Sequence, residues 1–179
     1  MRSLGQACLA LHADSQSIHS MSSQNEMAEL VAHIDGGSRG NPGPAAFAAV
    51  IKTVDGELVD EVSGFLGRAT NNVAEYQALL AALDYALAHK CRRLRVLADS
   101  ELLVHQINGV YKVRNQNLKP LYDRAKHLIS RIEFFSIKHV YREENREADR
   151  LANRTMDAAG QARHGSFRDD SRARWREDA

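Results

Sequence analysis

Cysteine is scarce in this chain of 179 residues: only Cys8 and Cys91 are present. They show no CxxC spacing and no nearby pair of histidines, which argues against a disulfide framework and against a zinc site. No apolar run approaches the roughly 18 residues that a bilayer span needs. The stretch Ala7-Cys8-Leu9-Ala10-Leu11 is too short for a signal-peptide core, and His12 and Asp14 follow at once. An excess of one charge is lacking too, with 24 Lys and Arg against 23 Asp and Glu, a formal +1. A nucleic-acid partner would therefore have to be held by a local basic patch, not by a global field. A cytoplasmic protein with no membrane partner is expected, and a monomer.

The chain has room for one domain and loose ends. Residues 1–28, rich in Ser, Gln, His and Asn, read as a flexible leader, within which Met21 and Met27 are alternative starts. Residues 158–179 read as a disordered, charged tail; Trp175, among arginines, would either stack on a base or simply be solvated. Between them, residues 29–157 alternate between two periods. Glu29–Ile34, Ala45–Ile51, Glu57–Leu66, Leu94–Ala98 and Glu133–Tyr141 are predicted strands, with Asp55-Gly56 as a hairpin turn. Helical spacing is predicted from Asn72 to about His89, from Ser100 to Asn108, from about Leu118 to Arg131 with Pro120 in its first turn, and from about Asn145 to Met156. Three strands on short loops form a meander, and right-handed helical crossovers then place the fourth and fifth strands parallel to the first. The expected fold is α/β, a five-stranded mixed sheet of order 3-2-1-4-5 flanked by helices, with its ligand site at the carboxyl ends of strands where the topology switches.

Asp35 and Asp99 end the first and fourth of these predicted strands. As parallel neighbours about 4.8 Å apart, they would emerge together and repel unless a cation held both ionised. Glu75, with Leu79 and Leu83 at the following turns, lies on or beside the packed stripe of its helix. Asp149 stands early in the last helix among Ala148, Leu151 and Ala152, after Asn145 as a plausible N-cap. Singly, each acid has a plainer reading as a turn former, a cap or a dipole partner. Two strand ends and two helix starts converging is harder to assign to chance. Oxygen ligands without Cys or clustered His point to Mg²⁺ or Mn²⁺.

Four segments resemble the motifs of type 1 ribonuclease H: Ile34-Asp-Gly-Gly-Ser-Arg-Gly-Asn-Pro-Gly-Pro44, Thr70-Asn-Asn-Val-Ala-Glu-Tyr-Gln-Ala-Leu-Leu80, Ala98-Asp-Ser-Glu-Leu-Leu-Val-His-Gln-Ile107 and Glu144-Asn-Arg-Glu-Ala-Asp-Arg-Leu-Ala152. The resemblance covers roughly residues 29–157. It implies a metal-dependent endonuclease that cuts the RNA strand of RNA/DNA hybrids. Asp35, Glu75, Asp99 and Asp149 would be ligands of two Mg²⁺ ions, or of Mn²⁺ in their place, one activating water and the other stabilising the leaving 3′ oxygen, with 5′-phosphate and 3′-hydroxyl ends as products. It also implies that Thr70 and Asn71 hold the phosphate and sugar of the DNA strand, that Asn72 lies near the minor groove, and that the Gly36–Gly43 loop, including Gly37, Ser38 and Asn41, meets RNA 2′-hydroxyls.

The chain departs from the family's pattern in two places. The loop histidine of many members falls, by ungapped counting, on His139, which the alternation Phe135, Ile137, His139, Tyr141 puts inside a strand; Arg142 at the loop mouth is the favoured substitute, with His139 the alternative. The lysine-rich, tryptophan-bearing extra helix is missing, leaving the short segment 111–119 with Lys112, Arg114 and Lys119. Double-stranded RNA thereby becomes a plausible additional substrate. Rival readings are a junction resolvase or 3′ exonuclease of the same superfamily, a binding module without catalysis, and an actin-like ATPase. The Asp-Gly-Gly-Ser loop, the presence of all four acids and the chain's length argue against them in turn.

Overall fold

A computed structural model of the chain describes residues 29–165, so the predicted leader, Trp175 and most of the predicted tail lie outside the described residues. The elements are β1 (Glu29–Ser38), β2 (Gly43–Lys52), β3 (Leu58–Ala69), α1 (Asn71–Ala88), β4 (Arg93–Ala98), α2 (Glu101–Ile107), α3 (Lys119–Ile129), β5 (Phe134–His139) and α4 (Arg146–Gly165), with a short 3₁₀ turn at Arg142–Glu144. The strands form one sheet of order β3-β2-β1-β4-β5. β1 is antiparallel to β2 and parallel to β4, which is parallel to β5. This is the expected order.

Alternation along β2 explains how helices cover both sheet faces. Ala49 and Ile51 join Leu30, Ala32, Ile34, Leu94 and Val96 in the main core under α1, α2 and α3. Ala48 and Val50 point the other way, against Ala148, Leu151 and Ala152 of α4. α1 is apolar almost all round because the sheet and α3 enclose it; Leu79, Leu80 and Leu83 are fully buried. At about 1.5–3 kcal/mol for each buried leucine, these contacts hold the helix where its first turn is needed. Thr70 starts α1, its Oγ1 accepting from the Val73 N–H at 3.3 Å, and Ser100 starts α2 in the same way through Leu103 at 3.4 Å.

Several element boundaries differ from the sequence expectation. β1 does not stop before Asp35: its pairing with β2 continues through Asp35↔Ala48 to Ser38↔Ala45, whereas its pairing with β4 ends at Ile34↔Ala98. A strand with two partners of unequal reach has no single end to read from hydrophobicity. β3 likewise runs on to Ala69. β5 ends at His139, short of Tyr141. α4 continues past Met156 to Gly165, so the expected boundary at residue 157 falls inside a helix. Ala158, Ala159, Gln161 and Ala162 favour helix without needing a buried face, a signal invisible to a search for apolar periodicity.

Candidate active site

Two backbone facts build the site. The β1–β4 register places Ile34 beside Ala98, so Asp35 and Asp99 follow as neighbours at the fork where β4 ends. Gly36 then lets α1 lie directly on β1: a Cβ at Gly36 would come within 2.2 Å of the Ala74 carbonyl carbon and the Glu75 nitrogen. Only a residue without a side chain fits there, and that approach delivers Glu75 to Asp35.

The result is a cluster of three carboxylates. Asp35, Glu75 and Asp99 each offer an oxygen, and these atoms all lie within 4.8 Å of one another. Asp35 and Glu75 are buried, at 7% and 5% relative exposure. Burial, and then the charges of Asp99 and Asp149, push the Asp35 carboxyl up to about 7, against a smaller opposing pull from Arg142. Glu75 is raised well above the usual glutamate range by burial first, then by Asp35 and Asp99. Its Oε2 is buried with no hydrogen-bond partner. An unpartnered buried oxygen beside two further carboxylates is what a hard divalent cation satisfies, and an all-oxygen donor set suits Mg²⁺ or Mn²⁺.

Asp149 lines the same cleft but stands outside that cluster; its Oδ1 accepts from Arg142 Nη2 at 2.7 Å. Gly36, Gly37, Ser38 and Asn71 line the cleft as well. Ser38 Oγ donates to the Ala69 carbonyl at 2.9 Å, and the Asn71 N–H donates to Asn41 Oδ1 at 3.3 Å, tying the loop after β1 to the start of α1. Thr70 is committed to capping α1 through its side chain, and Asn72 is half-buried and not among the cleft-lining residues. His139 is exposed at the end of β5, edge-on to Tyr141, and takes no part in the cleft. Arg142 does.

Asn145 does not use its side chain as an N-cap. It is 1% exposed, and Nδ2 donates to the Ile34 carbonyl at 2.8 Å and, at 3.4 Å, to Asp99 Oδ1, joining α4 to the fork. Sequence reasoning missed Arg39, Asn153 and Met156 as cleft residues. The helical step from Asp149 to Asn153 was the available signal for one of them.

A family model described as reverse transcriptase-like matches residues 33–155. The ribonuclease H of Syntrophotalea carbinolica is 32% identical over 150 residues, covering 76% of this chain and 95% of that protein. The chain belongs to the ribonuclease H family. It is also 47% identical over 135 residues to the bifunctional protein Rv2228c of Mycobacterium tuberculosis, covering 75% of this chain but only 37% of that longer protein. It is 42% identical over 128 residues to ribonuclease HI of Halobacterium salinarum, covering 72% and 64%. Among solved structures, the N-terminal RNase H domain of Rv2228c superposes with a TM-score of 0.73 at 45% identity, covering 76% of this chain and 99% of that one. LC11-RNase H1, solved in complex with an RNA/DNA hybrid, gives 0.69 at 38% identity, covering 73% and 98%. The family's fold and the acid cluster thus coincide in one domain.

Proposed function

We propose that the protein is an endoribonuclease that cuts the RNA strand of RNA/DNA hybrids, and double-stranded RNA in addition. The observation that carries this reading is the meeting of the Asp35, Glu75 and Asp99 oxygens, with Glu75 Oε2 otherwise unsatisfied. Asp35, Glu75, Asp99 and Asp149 would hold two Mg²⁺ ions, with Mn²⁺ able to replace them. Bound there, the ions supply an activated water and neutralise charge at the leaving 3′ oxygen, which leaves 5′-phosphate and 3′-hydroxyl ends.

The chain's own groups do the remainder. Four acids lining one cleft would repel an extended polyanion unless cations neutralise them, so substrate binding depends on bound metal. Arg142, 74% exposed at its side chain and tethered to Asp149, sets a guanidinium where a scissile phosphate would pass. Gly36, Gly37 and Ser38 line the cleft and would offer backbone groups to RNA 2′-hydroxyls, with Asn41 bracing their loop against Asn71, and Thr70, Asn71 and Asn72 at the start of α1 would meet the second strand. Contact with 2′-hydroxyls is what separates RNA from DNA. We place the protein in the cytoplasm as a monomer; no helix among the described residues is long and apolar enough to cross a membrane.

Matched RNA/DNA, RNA/RNA and DNA/DNA duplexes incubated with Mg²⁺ or Mn²⁺ test the reading. Cleavage is expected in RNA strands alone and is expected to vanish with Asp99→Asn; cutting of DNA/DNA, or near-normal cutting by the variant, overturns it.

A further inference from the structure

We propose that Arg39 is a phosphate-binding side chain of the cleft, and that Asp157 holds it in the free protein until a nucleic-acid backbone displaces the carboxylate. The inference rests on the nuclease reading and extends it to the α4 side of the site.

Arg39 follows β1 in a turn whose main chain is fixed. Its N–H donates to the Pro44 carbonyl at 2.8 Å, and a Cβ at Gly43 would lie 2.0 Å from the Arg39 carbonyl oxygen, so the loop closes tightly on itself. The backbone is pinned and the long side chain is left to choose its partner. Arg39 lines the same cleft as Asp35, Glu75 and Asp99. On the facing wall, Asp149, Asn153 and Asp157 succeed one another at four-residue steps along one stripe of α4. Asp149 and Asn153 line the cleft, and Asp157, one turn further on, accepts from Arg39 Nη2 at 2.6 Å.

Arg39 and Asp157 are 51% and 55% exposed at their side chains. A pair this exposed adds little to stability, so holding the fold together does not explain it. A phosphodiester offers the guanidinium two oxygens in a geometry that matches its fork, and neutralising a phosphate also releases condensed counterions. Asp157 therefore stands where a substrate oxygen would. Arg142 is engaged by Asp149 in the same manner, but Asp149 belongs to the acid set. Asp157 does not, which makes the Arg39 pair separable from the metal ligands.

The test measures binding, not turnover. Fluorescence anisotropy of a labelled RNA/DNA hybrid is followed with the full chain carrying Glu75→Gln to stop cleavage, in Mg²⁺, across a series of KCl concentrations. Adding Arg39→Ala is expected to raise Kd about tenfold, the loss of one charge-assisted contact, and to reduce the slope of log K against log salt by about 0.9. Arg39→Lys is expected to keep the slope. Asp157→Asn is expected to tighten binding about threefold at low salt while Arg39 is present, and to do measurably less in the Arg39→Ala background. Equal effects of Asp157→Asn in both backgrounds overturn the latch. An Arg39→Ala protein that binds as its parent does, or one whose only change is a lower urea midpoint, overturns the phosphate contact. If the unsubstituted chain neither binds nor cleaves the hybrid, the nuclease reading falls and takes this inference with it; if the Glu75→Gln parent binds and the Arg39 variants are silent, only this inference falls.

Discussion

Replacing Asp35 with Asn should stabilise the metal-free protein while abolishing its activity. The carboxyl of Asp35 ordinarily titrates near 3.8 and is pushed up to about 7 in the fold, by burial and by Asp99 and Asp149. An acid whose folded value is raised binds its proton more tightly in the native state. Stability is therefore full below about pH 4, falls as pH rises through the window between the two values, and stays reduced above about 7. At about 1.4 kcal/mol per pH unit over that window, the full penalty is a little over 4 kcal/mol. An amide removes the charge and keeps the shape but must still be hydrogen-bonded, which returns part of the gain. In EDTA at pH 8 the Asp35→Asn protein is expected to be more stable than the parent by about 1–3 kcal/mol. At pH 5 the difference should shrink. Added Mg²⁺ should raise the parent's urea midpoint through binding to the native state and should do so far less for the variant. Equilibrium urea unfolding at both pH values, with EDTA and with Mg²⁺, reads all of this. A variant less stable than the parent at pH 8 without metal would show that Asp35 is satisfied by the protein and not by a cation.

Gly36→Ala is expected to cost about 3 kcal/mol of stability and to lower cleavage sharply with every acid retained, since the added Cβ pushes Glu75 away from Asp35; urea unfolding beside a cleavage assay checks both. Arg142→Ala is expected to lower kcat by about 10² with an unchanged melting temperature, because its ion pair is exposed, whereas His139→Ala should stay within about twofold of the parent; equal losses in the two variants would contradict the geometry. Asn145→Ala should cost about 2 kcal/mol by stranding the buried Ile34 carbonyl and should also weaken Mg²⁺ binding, measured by calorimetry, as Asp99 loses its tether.

The sheet order could be read from sequence because strand and helix periods alternate cleanly and right-handed crossovers leave few arrangements. The nearness of Asp35 to Asp99 follows from that order together with a register in which the β1–β4 pairing ends at Ile34 and Ala98. What escaped depends on atoms that periodicity does not describe. The end of β1 was hidden because β2 extends it beyond the reach of β4. The length of α4 was hidden because residues 157–162 are mostly exposed and held by intrinsic preference. Asn145 looked like a cap from its position, but its side chain found a buried carbonyl instead. The preference for Arg142 over His139 rested on judging where β5 stops. Although β5 ends at His139, sooner than expected, that ring packs edge-on to Tyr141, while the exposed Arg142 lines the cleft and bonds Asp149.

Past Ile34, β2 is the only strand neighbour of β1 among the described residues, so from Gly36 to Ser38 one rim of the strand carries peptide groups that join no ladder there. A rim made of main chain cannot be edited by exchanging side chains, only by changing the course of the strand. If RNA is told from DNA there, that discrimination is inherited with the fold itself, and evolution is left free to vary the arginines and asparagines around it without the domain forgetting which sugar it reads.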